Sequence, residues 1–160
     1  MQKIVPYLWF NDEAEEAAKF YVSVFKNSKI DDVSRYGDAG PGPSGAAMVV
    51  EFQLEGQDFM ALNGFQPAAT SDAMAPVSLF VSCETQAEVD ALWDKLSSGG
   101  QKFPCGWLRD KYGISWNIVP AGLSDVLGGP DREKAQRAMR AMLEMEKLDI
   151  DALKRAYEGV

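Results

Sequence analysis

The feature that most restricts this chain's fold is a repeat within its first 120 residues. Residues 3–10, KIVPYLWF, are apolar and rich in strand-forming side chains, and predict a buried strand. Asp12-x-x-Glu15 then has the form of a capping box, with Asp12 accepting from first-turn N–H groups and Glu15 reaching back. Ala17, Phe20, Tyr21 and Val24 follow at helical spacing and predict one apolar stripe. Lys26-Asn27 ends the helix, since Asn27 tolerates the left-handed conformation. Residues 29–36, 46–55 and 57–63 read as strands, separated by a Gly/Pro/Ser loop at 37–45 and a turn at Gly56.

After a polar, small-residue link from Phe65 to Ala73 the series restarts. PVSLFVSC at 76–83 is a strand, Thr85-Gln86-Ala87-Glu88 a capping box, and Val89, Leu92, Trp93 and Leu96 a second stripe. Gly99-Gly100 stops it, and strands at 101–108 and 114–119 flank a turn at Asp110–Gly113. Pro6 and Pro76 head their strands 70 residues apart. The caps Asp12 and Thr85 are 73 apart, and the stripes and the stops Asn27 and Gly99 are 72 apart. Agreement of caps, stripes and stops predicts a duplicated unit of strand, helix and three strands, hence an α+β fold. The modules run over 1–65 and 74–121, within one domain of 1–121.

Residues 122–160 lie outside the repeat and predict a C-terminal helical extension. It comprises a turn of helix at Leu123–Leu127, a helix capped by Asp131 and running to about Glu146, and a last helix capped by Asp149. Met139, Met142, Leu143 and Met145 give it an adaptable apolar surface. That surface must cover either its own domain or a second subunit.

Composition narrows the function more by exclusion than by assignment. The chain has no histidine, which removes Ser-His-Asp and Cys-His nucleophile systems, His-ligated metal sites and a His general base. A net charge of −8 argues against nucleic-acid binding. No apolar run reaches a bilayer-spanning length and no targeting signal is visible, so a cytoplasmic protein without membrane attachment is expected. Two cysteines, Cys83 and Cys105, make no disulfide scaffold.

Four segments carry a resemblance: PYLWFNDEAEEAAKFYVSVFKNSKI (6–30), CETQAEVDALWDKLSSGG (83–100), CGWLRDKYGISWNIVP (105–120) and DREKAQRAMRAMLEMEKLDIDALKRAYEG (131–159). In these the chain resembles the PhnB-like branch, also labelled the 3-demethylubiquinone-9 3-methyltransferase family, of the vicinal oxygen chelate superfamily. That superfamily holds glyoxalase I, bleomycin-resistance proteins and extradiol dioxygenases. The resemblance implies two tandem βαβββ modules forming a curved mixed sheet around a cleft, usually in a homodimer. Metal-using members place His or Gln near the start of each module's first strand and Glu on each last strand. Here the first-strand positions look like Pro6 and Pro76, and the last-strand positions like Asn117 and Ala61, or Asn63 with a slipped register. None is an ionic ligand, so no metal and no cofactor is expected. The methyltransferase label lacks its Gly-rich strand-to-helix turn, because the loop at 37–45 joins two strands. That loop reads as a hairpin connection or as a lid over the cleft.

The residues expected to line the cleft are Tyr7, Trp9, Cys105, Trp107, Asp110 and Asn117. Strand alternation sets Ser115 and Asn117 on one face against Trp116 and Ile118, and opposes Tyr7 and Trp9 to Leu8 and Phe10. Cys83 and Cys105 offer a thiol site, or serve as small buried apolar residues. Glu51, Glu55 and Asp58 offer carboxylates across a hairpin, or a solvated face. The expectation is a metal-independent protein binding a small organic molecule, with no catalytic residue assigned. Its alternatives are an enzyme (lyase, isomerase or methyl-transfer-related) using Cys or a buried carboxylate, and an interaction module working through the C-terminal helices.

Overall fold

A computed structural model of the chain describes residues 2–66 and 75–160. Most of the link expected between the modules, and the expected start of the second at 74, lie outside the described residues. Module one runs β1 (Ile4–Phe10), α1 (Ala14–Val24), β2 (Lys29–Arg35), β3 (Ala47–Leu54) and β4 (Gln57–Asn63). Module two runs β5 (Val77–Cys83), α2 (Gln86–Ser97), β6 (Gln101–Lys102), β7 (Trp107–Arg109) and β8 (Ser115–Pro120). Among the described residues these eight strands form one mixed sheet in the order β2-β3-β4-β1-β5-β8-β7-β6. Each module pairs its first strand parallel to its last, and the two first strands join the modules antiparallel.

The register at that junction reveals an internal two-fold. Ile4 faces Val81 and Leu8 faces Val77, and the last residues of the two strands, Phe10 and Cys83, accept alike from Gly64 and Ala121 just past β4 and β8, so β1 maps onto β5 by a shift of 73 with Pro6 equivalent to Leu79. The expected match of Pro6 with Pro76 is therefore corrected by three residues. Pro76 precedes β5, and its carbonyl accepts from the N–H of Trp9 at 2.9 Å.

Alternation divides the side chains between two faces. Ala14 and Ala18 of α1 pack on Val50, Phe52 and Ala61, while Val89 and Trp93 of α2 pack on Val81, Cys83, Leu108 and Ile118. On the concave face, opposite the helices, Val5, Tyr7, Met60 and Trp107 form a third cluster with Phe80, Phe103 and Cys105.

Module two follows its helix signals, although the strand expected over 101–108 is split into β6 and β7 by the turn at Cys105 and Gly106. The N–H of Glu88 donates to Thr85 Oγ1 at 3.1 Å, and Val89 and Trp93 are buried as the stripe predicts. Module one departs from them. Helix α1 begins at Ala14, and its first-residue N–H donates to Asn63 Oδ1 at 2.8 Å rather than to Asp12. The small Ala14 and Ala18 let the helix approach the sheet on their line, so Phe20 and Val24 of the expected stripe stand 62% and 56% exposed.

The extension forms α3 (Leu123–Leu127), α4 (Arg132–Leu143) and α5 (Ile150–Glu158), with Asp131 and Asp149 capping as expected. Val126, Ala138 and Leu153 build its own small core, joined by Met142 and Met145. Helix α4 stops at Leu143, short of the expected Glu146, where the chain turns to module two. The carbonyls of Met145 and Glu146 accept from the N–H groups of Cys105 and Gly106, both at 2.7 Å. Gln86 of α2 binds the carbonyl of Leu148 and the N–H of Ile150, so these helices pack in cis on their own domain. Among the described residues, no helix is long and apolar enough to cross a membrane.

Candidate ligand face on the sheet

The concave face gathers most of the residues singled out from sequence. Tyr7 from β1 stacks on Trp107 from β7 with ring centroids 5.5 Å apart at 18°. Phe80 from β5 meets Tyr7 edge-on at 5.5 Å, and Trp9 meets Trp107 edge-on at 6.5 Å. Trp9 lies against Gly64, where any Cβ would overlap its ring, and its Nε1 donates to Gln66 O at 3.2 Å. Tyr7, Trp107 and Asn117 are each 6% exposed, whereas Trp9 and Arg109 are half-buried at the rim. Burial raises the Tyr7 hydroxyl far above the ordinary tyrosine range, so it stays a neutral hydrogen-bonding group.

Asn117 sits directly opposite Trp107 across the β7–β8 pair. Its Nδ2 donates to Cys105 O at 3.1 Å. Cys105 and Gly106 hold positive φ of 64° and 80°, a turn clamped by Asn117 on one side and by the Met145 and Glu146 carbonyls on the other. A Cβ at Gly106 would meet Ile118 O at 2.7 Å, so that position requires glycine.

Asp110 is placed elsewhere. Its carboxylate accepts from the N–H groups of Tyr112 and Ile114 and from Trp116 Nε1, at 2.9, 3.0 and 3.0 Å. It therefore braces the turn and the helix-side Trp116. Burial works against its charge, but these hydrogen bonds prevail and hold the carboxyl below its usual range.

The two cysteines lie on opposite faces, Cys83 under α2 and Cys105 in the aromatic cluster, and both are free. Burial, reinforced by Glu88, pushes the Cys83 thiol up to about 11 despite the nearby Lys3. Burial likewise raises Cys105. Both are thus protonated at neutral pH, the less nucleophilic form. On β3, Glu51 stands opposite Met60. Burial, then Asp32, Asp31 and Asp58, raises its carboxyl above the usual range.

The two-fold also corrects the expected last-strand position of module one, while that of module two, Asn117, stands. Tyr7 pairs with Met60 and, equivalently, Phe80 pairs with Asn117. Ala61 packs beneath α1, and Asn63 points there too, with Nδ2 donating to Ala47 O at 3.1 Å. One residue of register exchanges the faces of a strand, which is why counting alone selected Ala61. Among the described residues no three His, Cys, Asp or Glu side chains are grouped to hold a metal ion.

Sequence reasoning set Ser115 on the face of Asn117 but did not count it among the lining residues. Ser115 is 2% exposed, and its Oγ is buried without a hydrogen-bond partner among the described residues. Alternation from Asn117 was the available signal for its face, but not for its lack of a partner. Two surface grooves of about 520 and 590 Å³ lie apart from this face; both are bordered by Ser44, Arg132 and Gln136.

The sequence pattern of the 3-demethylubiquinone-9 3-methyltransferase family matches residues 2–119. A Staphylococcus aureus protein of solved structure is 32% identical, covering 72% of this chain and 93% of its own, with a TM-score of 0.56. The PhnB protein of Bacillus cereus is 38% identical over 75% of this chain and 100% of its own, with a TM-score of 0.40. A glyoxalase/bleomycin resistance protein/dioxygenase superfamily member from Vibrio splendidus is 13% identical over 71% of this chain and 92% of its own, at a TM-score of 0.39. No curated protein matches. The extent of the family match, together with paired βαβββ modules on one sheet, shows that the chain belongs to the PhnB-like 3-demethylubiquinone-9 3-methyltransferase family and has the vicinal oxygen chelate fold.

Proposed function

We propose that this protein binds a small organic molecule on the concave face of its sheet, without a metal ion, and works as a homodimer. The observation that carries the reading is the aromatic set Tyr7, Phe80, Trp107 and Trp9 gathered around the buried amide of Asn117. Aromatic walls with a few fixed polar groups are the usual makeup of a small-molecule site. The positions related by the two-fold, Tyr7, Met60, Phe80 and Asn117, offer one phenol, one thioether, one ring and one amide. That donor set favours shape and hydrogen bonding over ion coordination. The inner rings fill the face in the free chain, so a ligand enters at the rim, where Trp9 and Arg109 are half-buried, by displacing Trp9.

Calorimetry with a panel of small aromatic probes, run with and without EDTA, tests this. Binding that survives the chelator and weakens in Trp107→Ala is expected; binding that appears only with added metal contradicts it. Light scattering at micromolar concentration reads the dimer. A second reading, an enzyme transferring a proton through a carboxylate, is favoured by the half-buried Glu51, whose carboxyl is raised by burial. Loss of turnover without loss of binding in Glu51→Gln would support it.

A further inference from the structure

We infer that the ligand of this face is an aromatic carboxylate, with Ser115 and Arg109 as the residues that select its acid group. The inference rests on the binding reading above and names the chemistry that the face would recognise. Ser115 is the first observation. A buried hydroxyl without a partner costs on the order of 1–3 kcal/mol, and native structures rarely keep one without a use.

The second observation is its neighbour. Arg109 stands directly opposite Ser115 in the β7–β8 register, and its position shares the face of Trp107 two residues earlier. The Arg109 guanidinium lies 5.6 Å from the Phe103 ring centroid, and its Nη1 reaches Gln101 Oε1 at 3.4 Å. No carboxylate lies within ion-pair distance of it among the described residues. In a chain with eight more acidic than basic residues, a half-buried arginine left without an acidic partner at an aromatic surface is itself a signal.

The two groups suit one ligand. A guanidinium and a hydroxyl on adjacent strands can share a carboxylate through charge-assisted hydrogen bonds. The ring attached to that carboxylate would extend toward Trp107, one side-chain step along the same face from Arg109. Neutral aromatics would gain only the ring contacts, and aliphatic acids only the polar ones.

The test compares benzoate, benzyl alcohol and acetate by calorimetry on the full chain at low salt. Benzoate is expected to bind at least about ten-fold more tightly than either of the others, and to weaken as salt rises. Arg109→Met should cost benzoate about ten-fold and benzyl alcohol much less, so that the preference for the acid collapses. Ser115→Ala should cost benzoate a few-fold while keeping or raising the melting temperature, because it removes an unpaired group rather than a bond. Benzyl alcohol binding as tightly as benzoate, or benzoate binding unaltered by both substitutions, overturns the acid assignment and leaves the binding reading standing. Failure of every aromatic probe to bind overturns both.

Discussion

The two modules share one topology and one two-fold, yet they hold their helices by different means. In module two the instructions are local: Thr85 caps α2 across three residues, and Val89 and Trp93 fill the space beneath it. In module one they come from afar. Asn63 at the end of β4 reaches α1 across 49 residues of chain, and two alanines bring the helix down on Phe52 and Ala61. Equivalent strand positions have also diverged. Asn117 faces the aromatic cluster while its counterpart Met60 is apolar, and the amide of module one lies three residues on, facing α1. Duplication preserved the frame, and each module then spent its buried polar groups differently, one on its helix and one on the concave face.

The sharpest way to break this comparison is to truncate the aromatic side chain that each stripe names. Trp93→Ala should lose about 3–5 kcal/mol in urea denaturation, as large core truncations do. Phe20→Ala, at a position that sequence alone makes equivalent within a residue, should stay within about 0.5 kcal/mol. Equal losses would mean that both stripes are buried alike. Next in size, Asn63→Leu leaves the Ala14 N–H and the Ala47 carbonyl without their partner and should cost about 2–3 kcal/mol.

The caps should differ by less. Thr85→Ala should cost about 1 kcal/mol, while Asp12→Ala should be nearly neutral because no N–H of the first turn of α1 depends on it. A loss at Asp12 as large as that at Thr85 would restore the local capping box. The smallest effect concerns pH. Glu51 holds its proton more tightly folded than unfolded, so its charging removes stability as pH rises from the unfolded value through the raised one. Glu51→Gln should flatten that slope and raise the melting temperature at pH 7; a lower melting temperature would show that the charge is used.

What could be read from sequence follows the range of the interactions. The caps at Thr85, Asp131 and Asp149 were legible because donor and acceptor lie three residues apart. The shared face of Tyr7 and Trp9, and that of Ser115 and Asn117, followed from strand alternation. The start of α1 was not legible, since its partner comes from a distant strand whose register no local pattern reports. Asp110 was assigned to the cleft by its neighbours, whereas its carboxylate is consumed by its own turn and by Trp116. The unpaired hydroxyl of Ser115 could not be foreseen at all, because lacking a partner is a property of everything around it.

The four tryptophans provide the most direct test of the central claim. Trp9 and Trp107 belong to the concave face, and Trp93 and Trp116 to the helix side. A nitrogen-15 spectrum resolves their four indole N–H signals, and titration with benzoate and then with benzyl alcohol shows which respond. Saturable shifts are expected at Trp9 and Trp107, with Trp93 and Trp116 nearly still. Shifts concentrated at Trp93 and Trp116, or four signals that never move, would contradict that claim.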